Sequence, residues 1–295
     1  MLQHLAPSVH HVMDLPREER IRQIQQGSWL PLDDTKKALE QMENMLSQPK
    51  VLRMPNLLLV GPSFSGKTTI LNKFMDLHPP DMDPENSVTT CPVLLVESPP
   101  KPDISDFYSR ILDATFSPFR HTAPAHQKYL QIKRLFKDMS VRMLMIDEIH
   151  HLIAGGANRQ REFRNAIKSL GNEMGVSIVV AGIEEAYNAL NLDPQMASRF
   201  PPLALTSRWQ GSDARRLLKS LEMQLPLAKQ SDLSSSKMSQ TISSMAEGSL
   251  GNICDLCKSA AIDAIQCGTE QITLDQIMRL DWVPPSARRK YRPIL

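Results

Sequence analysis

The sequence predicts an α/β fold, a five-stranded parallel sheet covered by helices, followed by a smaller all-helical domain. Three observations predict it. Short apolar runs alternate with segments of helical period as far as about residue 207. A glycine-rich turn joins the first of these runs to a helical segment. After Trp209 the apolar runs stop, while helical periods continue.

The runs are "NLLLV" (56–60), "VLLVE" (93–97), "RMLMID" (142–147) and "SIVVAG" (177–182), with "LALTS" (203–207) as a fifth. They are apolar at successive positions, the pattern of strands buried on both faces. Helical spacing over 68–77, 104–116, 125–139, 159–173 and 184–190 supplies the crossovers that parallel strands need. Upstream, a short helix is expected to end at Gly27. A second, over 35–48, has Leu39, Met42, Glu43 and Leu46 at helical spacing and Pro49 as its stop. Downstream, four helical segments fall between about 210 and 280. The expected organisation is an N-terminal extension (1–33), an α/β domain (34–207), a helical domain (208–281) and a basic, flexible tail (282–295).

Composition narrows the function. With 41% hydrophobic and 22% charged residues, a normal core is expected rather than bulk disorder. A net charge of +2 means that any nucleic-acid contact comes from a local patch. There is no run of 18 apolar residues and no signal-peptide pattern at the start, and four cysteines make no disulfide framework. A cytoplasmic protein with reduced thiols, away from membranes, is the expectation.

Gly61, Pro62, Ser63, Phe64, Ser65, Gly66, Lys67 and Thr68 fit G-x-x-x-x-G-K-[ST] at every fixed position, and Thr69 continues the stretch. The glycines let backbone N–H groups turn inward around phosphate. Lys67 is expected at the β- and γ-phosphates and Thr68 on Mg²⁺. The metal needs an acid, and Asp147 at the end of "MLMID" is placed to supply it. Glu148 follows, where a carboxylate can orient and deprotonate an attacking water. His150 and His151 are adjacent and cannot converge on one ion from a helix or strand, so they read as loop histidines. Arg199, before the fifth strand, is either a cation for γ-phosphate charge on a neighbouring subunit or a surface arginine, with Arg208 as the fallback. Cys254 and Cys257 form C-x-x-C inside a helical pattern and read as small buried residues.

Taken together, "RMPNLLLVGPSFSGKTTILNKF", "MLMIDEIHHL", "VVAGIEEAYNAL", "SRFPPLAL" and "EGSLGNICDLCKSAAIDAI" resemble the TniB family. These are AAA+ ATPases of bacterial transposons, related to the TnsC regulators of CRISPR-associated transposons. The resemblance runs from about Trp29 onward, and the order of the blocks makes it specific. It implies an AAA+ P-loop NTPase with a helical lid, which binds ATP and Mg²⁺ and assembles on duplex DNA as rings or helical filaments. Such proteins link a TniQ-like target selector to a DDE transposase, and hydrolysis disassembles the polymer. On this resemblance Lys67, Thr68, Asp147 and Glu148 carry the nucleotide chemistry, Arg199 matches the arginine finger, and Trp29 and Leu30 border the adenine. Lys101, Arg120 and Thr122 are the candidates for sequence-independent DNA backbone contacts. The tail's Arg288, Arg289, Lys290 and Arg292 are either further DNA or protein contacts or a solubilising terminus.

Two positions depart from the general AAA+ pattern. Ile183 stands where a polar residue usually senses γ-phosphate, and Asn252 where the lid often has an arginine. Both departures predict slow turnover. They keep open a scaffold that holds ATP and scarcely hydrolyses it. A helicase loader or replication initiator is the other alternative, its initiator form weakened by the lack of a recognisable winged-helix segment after the lid.

Overall fold

The computed structural model describes residues 3–83, 88–149 and 157–288. Among them, the residues of Asp34–Leu205 cluster as one compact unit and those of Met1–Asp33 and Thr206–Leu295 as a second. Helices are numbered here through the described residues, beginning with α1 (Arg17–Gln26) of the second unit.

The α/β unit is organised by five parallel strands. They are β1 (Leu57–Val60), β4 (Val93–Glu97), β5 (Met143–Asp147), β6 (Ser177–Gly182) and β7 (Pro202–Ala204), in spatial order β4-β5-β6-β1-β7. Every position of β5 and β6 is buried, which is why their sequences run apolar without alternation. The register pairs Leu58 with Val180 of β6 and with Pro202 of β7, and Ile146 of β5 also with Val180. Asn56 reinforces it: its buried side-chain carbonyl accepts the Ile178 N–H at 2.9 Å. The phosphate-loop strand and the acid-bearing strand thus lie two places apart, with β6 between them.

Helix α2 (Asp33–Ser47) precedes β1, and α3 (Lys67–Leu77), α4 (Ile104–Ala114), α5 (Ala125–Asp138), α6 (Ala157–Met174), α7 (Glu184–Asn191) and the short α8 (Pro194–Ala197) complete the crossovers. Phe107, Ile111, Ile132 and Phe163 fill the core against Leu144, Ile146 and Ile178. The rings of Phe107 and Phe163 meet edge-on at 5.2 Å, a favoured aromatic geometry.

One pair of strands was absent from the sequence reading. β2 (Asp81–Asp83) and β3 (Val88–Thr90) form a separate antiparallel pair. "DMD" has neither an apolar run nor β-branched residues, so nothing in it reads as a strand.

The second unit is built around α9 (Gly211–Glu222), α10 (Ser236–Met245), α11 (Leu250–Gln266) and α12 (Leu274–Arg279). Leu217, Leu218, Ile242, Ile253 and Leu256 form its core, and Ile24 of α1 joins them. Cys254 and Cys257 are free thiols on α11. Burial raises the Cys254 pKa to about 11 and that of the fully buried Cys257 well above its ordinary value, so both act as packing groups. Among the described residues no group of three or more His, Cys, Asp or Glu could hold a metal ion. Among the same residues no helix is long and apolar enough to cross a membrane.

Buried charge joins the two ends of the chain within this unit. Arg20 on α1 makes a fork with Glu270, at 3.0 and 2.5 Å, and also donates to the Pro226 carbonyl. Glu222 accepts three backbone N–H bonds, from Ser231, Asp232 and Leu233, at 2.7, 2.8 and 3.0 Å. The segment after α12 has no helical period, yet its described part is held. α13 (Pro285–Arg288) ends with the Arg288 guanidinium 4.6 Å from the Trp282 ring centre. The same guanidinium donates to the buried Asn252 side chain at 3.1 Å.

The fork makes a pH-dependent prediction. Burial alone would raise the Glu270 carboxyl, but hydrogen bonds from Arg20 and the Ala228 amide, with the Arg20 charge, hold it below its ordinary value of 4.5. A carboxyl depressed on folding contributes stability above 4.5 and loses it as pH falls through the depressed value. Glu270→Gln should therefore lower stability by about 2–3 kcal/mol at neutral pH, since it strands the Arg20 charge. The gap to the wild type should close as pH falls below 4.5. Urea denaturation of both proteins at pH 7 and pH 3.5 reads this out, and a gap that does not close excludes the carboxylate as its source.

Candidate functional site

The phosphate loop follows β1 directly. Leu205 N–H donates to the Val60 carbonyl at 2.8 Å and Gly61 N–H to the Gly182 carbonyl at 3.2 Å, so both neighbouring strands brace the entry to the loop. Gly61 is required by space: a Cβ there would lie 2.7 Å from Ser65 Oγ and 3.3 Å from Leu205 Cβ. Gly66 is required by conformation, since its φ of 92° starts α3 from the left-handed region. Phe64 also has positive φ, at 62°. Pro62, Ser63 and Phe64 are exposed at the crest of the loop, while Gly61, Ser65 and Lys67 are buried beneath them. Ser65 Oγ is buried and has no partner. Thr68 and Thr69 open the first turn of α3, where free N–H groups and the helix dipole favour an anion.

Lys67 Nζ donates to the Gly61 and Pro62 carbonyls, both at 2.9 Å, and so lies across the mouth of its own loop. Burial lowers its pKa from the ordinary value, and the charges of Glu148 and Asp147 pull the other way. A buried cation in a glycine-rich loop that opens a helix suits a polyphosphate.

The acids arrive on β5. Thr68 Oγ1 donates to Asp147 Oδ2 at 2.6 Å, bringing a hydroxyl and a carboxylate from different elements to one point. Two hard oxygens are donors of the kind that Mg²⁺ takes, and they fit it better than zinc. The other oxygen of Asp147 accepts the Glu148 N–H at 2.8 Å. Glu148 sits at φ 53°, an uncommon conformation for a non-glycine residue.

Ser98 holds that turn and was absent from the sequence reading. It follows β4, whose Glu97 is in register with Asp147. Its N–H donates to the Asp147 carbonyl at 2.9 Å and its Oγ to the Glu148 carbonyl at 2.5 Å. The available signal was a small polar residue just past the strand beside the acid.

Ile183 caps α7 one residue after β6, next to the Gly182–Gly61 contact. Ile183 is therefore close in sequence to the strand end that braces the phosphate loop, and its side chain is apolar. His150 and His151 lie outside the described residues. Trp29 and Leu30 are half-buried in the second unit, where Leu30 packs on the helical core.

Arg199 lies before the start of β7, at the opposite end of the sheet from the phosphate loop. The four residues of β1 separate them, about 13 Å of strand. Its Nη1 donates to Asn172 Oδ1 of α6 at 2.9 Å. The turn carrying it is fixed by Asp193, which caps α8 through the Gln195 N–H and pairs with Lys168 at 3.1 Å and Arg164 at 3.5 Å. Burial would raise the Asp193 carboxyl, but Lys168 and the backbone N–H groups outweigh it and keep the value low. Arg199 is thus rigidly presented, and far from the nucleotide site of its own chain. The fallback, Arg208, belongs to the second unit.

Lys101, Arg120 and Thr122 are all exposed. One buried cation ties their segments together. Lys128 Nζ donates to Ser105 Oγ and Ser109 Oγ of α4, both at 2.8 Å, and to the His121 carbonyl at 2.9 Å. The loop of Arg120 and Thr122 is so fastened to the helix that Lys101 precedes.

The fold recurs in solved structures. The chain is similar to Aeropyrum pernix ORC2 in its ADPNP–ADP complexes, with 16% identity, TM-score 0.62, and coverage of 87% of this chain and 70% of that one. It is similar to Cdc6p from Pyrobaculum aerophilum, with 18% identity, TM-score 0.59, and coverage of 83% and 66%. Aeropyrum pernix ORC1 in complex with DNA gives 17%, 0.57, and coverage of 87% and 64%. The chain spans about two thirds of the length of these proteins, and the likeness establishes the AAA+ P-loop fold. No curated protein matches the sequence. The profile of the family described as "Bacterial TniB protein" matches residues 20–211, more than half of the chain. With the phosphate loop, the acid strand and the Arg199 turn all inside that match, the chain belongs to the TniB family.

Proposed function

We propose that this protein is an ATP-dependent transposition regulator that assembles on duplex DNA. In this reading it links a TniQ-like target selector to a DDE transposase, and ATP hydrolysis times disassembly. The observation that carries the nucleotide part is the 2.6 Å contact of Thr68 with Asp147 beside Lys67. ATP would lie along the loop from Gly61 to Thr69, with Mg²⁺ on Thr68 and Asp147. The metal would supply charge neutralisation at the phosphates. Glu148 would orient and deprotonate water, and Ser98 would hold its backbone in place. Trp29 and Leu30 would border the base.

The position of Arg199 supports sharing of the site between copies. It is out of reach of its own loop, so any nucleotide that it touches belongs to another copy. An arrangement of that kind makes ATP a clamp between subunits, in a ring or a filament. Among structural relatives, one of the ORC proteins was solved with DNA and another with ADPNP and ADP. Family membership supports transposition as the process, and cytoplasmic location follows from that role. Lys101, Arg120 and Thr122, fastened by Lys128, would give each copy one backbone contact that repeats along the DNA.

A second reading has one observation in its favour. Ile183 beside the loop offers no hydrogen bond to γ-phosphate, which fits a scaffold that holds ATP with little turnover.

Light scattering tests the main reading. ATP or a non-hydrolysed analogue, with duplex DNA, should convert a small species to a large one, and unchanged scattering contradicts it. Lys67→Ala should abolish that assembly. Glu148→Gln should allow assembly and slow phosphate release about a hundredfold or more, with slower disassembly; rapid dissociation would remove Glu148 from its role.

Ser98→Ala should lower turnover roughly tenfold and leave ATP affinity within about twofold, since only the orientation of the acid changes. Equal losses in both would make Ser98 a structural residue instead.

A further inference from the structure

The helical unit holds a cleft of about 420 Å³ between α9 and α10, which the nucleotide chemistry does not use. α10 contributes Ser236, Ser239, Gln240, Ser243 and Ser244, which recur at helical spacing and so share one face. α9 contributes Gly211, its first residue, with Gln210 before it and Arg215 one turn on. No lining residue is apolar and none is a carboxylate. Asp213, in the first turn of α9, has its carboxylate engaged by Arg216 at 2.5 Å. Walls of hydroxyls and amides with one cation ask for a ligand that is polar throughout and negatively charged.

Three sets of donors there lack acceptors. Gln210 caps α9 without a side-chain bond, and the N–H groups of Gly211 and Ser212 have no acceptor among the described residues. Gly211 has a left-handed φ of 56° and a right-handed helix follows it, which turns successive N–H groups to one side, as in an anion-binding nest. A Cβ on Gly211 would meet nothing within 4 Å, so its surroundings are open. Arg215 Nε donates to the Ser234 carbonyl at 2.9 Å, which orients the guanidinium and leaves both Nη groups without a partner among the described residues. The third is Ser243. A helical hydroxyl commonly turns back to a carbonyl of the preceding turn, as Ser239 does to Ser236 at 3.1 Å and Thr241 to Lys237 at 3.0 Å. Ser243 does not: it is 7% exposed, and its Oγ is buried with no partner. A buried hydroxyl without a partner is unfavourable, and a ligand in the cleft that Ser243 lines would supply one.

We propose that the cleft between α9 and α10 binds a sugar phosphate, either free or as part of a nucleic-acid backbone. The phosphate lies against the Gly211 and Ser212 N–H groups and the Arg215 fork. An arginine, hydroxyls, amides and the free N–H groups of a helix start are the donors that phosphate takes from proteins in either source. The oxygens of the sugar meet the serine row of α10. A nucleobase or an apolar peptide side chain finds no apolar wall here. The volume exceeds what a bare phosphate needs and is in the range of small-ligand pockets. Every residue of the site belongs to the helical unit, so the proposal does not rest on the reading of the phosphate loop.

Amide NMR of the isotope-labelled full chain, without ATP, tests the site. Ribose phosphate or a short DNA duplex should move the Gly211 and Ser212 signals saturably, and ribose without phosphate should not. The probe that acts at the lower concentration identifies the source. Arg215→Ala should weaken this binding about tenfold. Ser243→Ala should weaken it about threefold and leave the urea midpoint unchanged or higher, because the hydroxyl removed has no partner in the free protein. Lys67→Ala should leave the titration as it is, which separates this site from the phosphate loop. Signals that stay in place with both probes, binding indifferent to Arg215→Ala and Ser243→Ala, a Ser243→Ala protein less stable than the wild type, or a titration that needs Lys67 would overturn the proposal.

Discussion

The hydrogen bond from Thr68 to Asp147 is the contact on which the arrangement depends. It joins the first turn after the phosphate loop to the end of a strand two places away. It can form only if β1 and β5 end at the same level, with β6 between them in register. That requirement explains the conservative features of the sheet: strands buried on both faces, Asn56 bound to the Ile178 N–H, and Gly61 bound to the Gly182 carbonyl. It also accounts for Ser98, which fixes the Asp–Glu turn from the strand on the other side. The site is thus a property of four strand ends, and the loop alone is only one of them.

Geometry then divides the chemistry. Lys67, Thr68, Asp147 and Glu148 lie at one end of the sheet, and Arg199 at the other. In the proposed function this division is what makes hydrolysis depend on a neighbour. The Asp193 cluster spends two cations, Arg164 and Lys168, on holding the turn that presents Arg199. In the same reading Ile183 offers no polar group at the nucleotide end, so the expected rhythm is slow. A slow, shared hydrolysis suits an assembly that must persist on DNA until its partners arrive.

Much of this was legible in the residues. The four leading strands are apolar throughout because helices cover both faces, and a covered strand has no alternation to hide. The phosphate loop has fixed spacing because each residue answers a local backbone need, and Asp147 ends its strand visibly. The rest depends on contacts across the chain. Ser98 is an ordinary serine until Glu97 is placed in register with Asp147. Lys128 reads as a surface lysine, since nothing local says that two serines and a carbonyl will enclose it. Arg20 and Glu270 are 250 positions apart, and neither announces the other. The Asp81–Asp83 strand has no propensity to reveal it. Arg288 lies in a segment without period, and its place on Trp282 and Asn252 is set by tertiary packing.

The central claim, that one copy completes the nucleotide site of the next, is tested most directly by phosphate release from mixed variants. Glu148→Gln lacks the water-activating acid, and Arg199→Ala lacks the cation offered to a neighbour. Each alone should be nearly inactive with DNA present. In an equimolar mixture, some sites pair an intact Glu148 with an intact Arg199 from the other variant, and about a quarter of wild-type turnover should return if copies join at random. A mixture no more active than its parts would contradict the account.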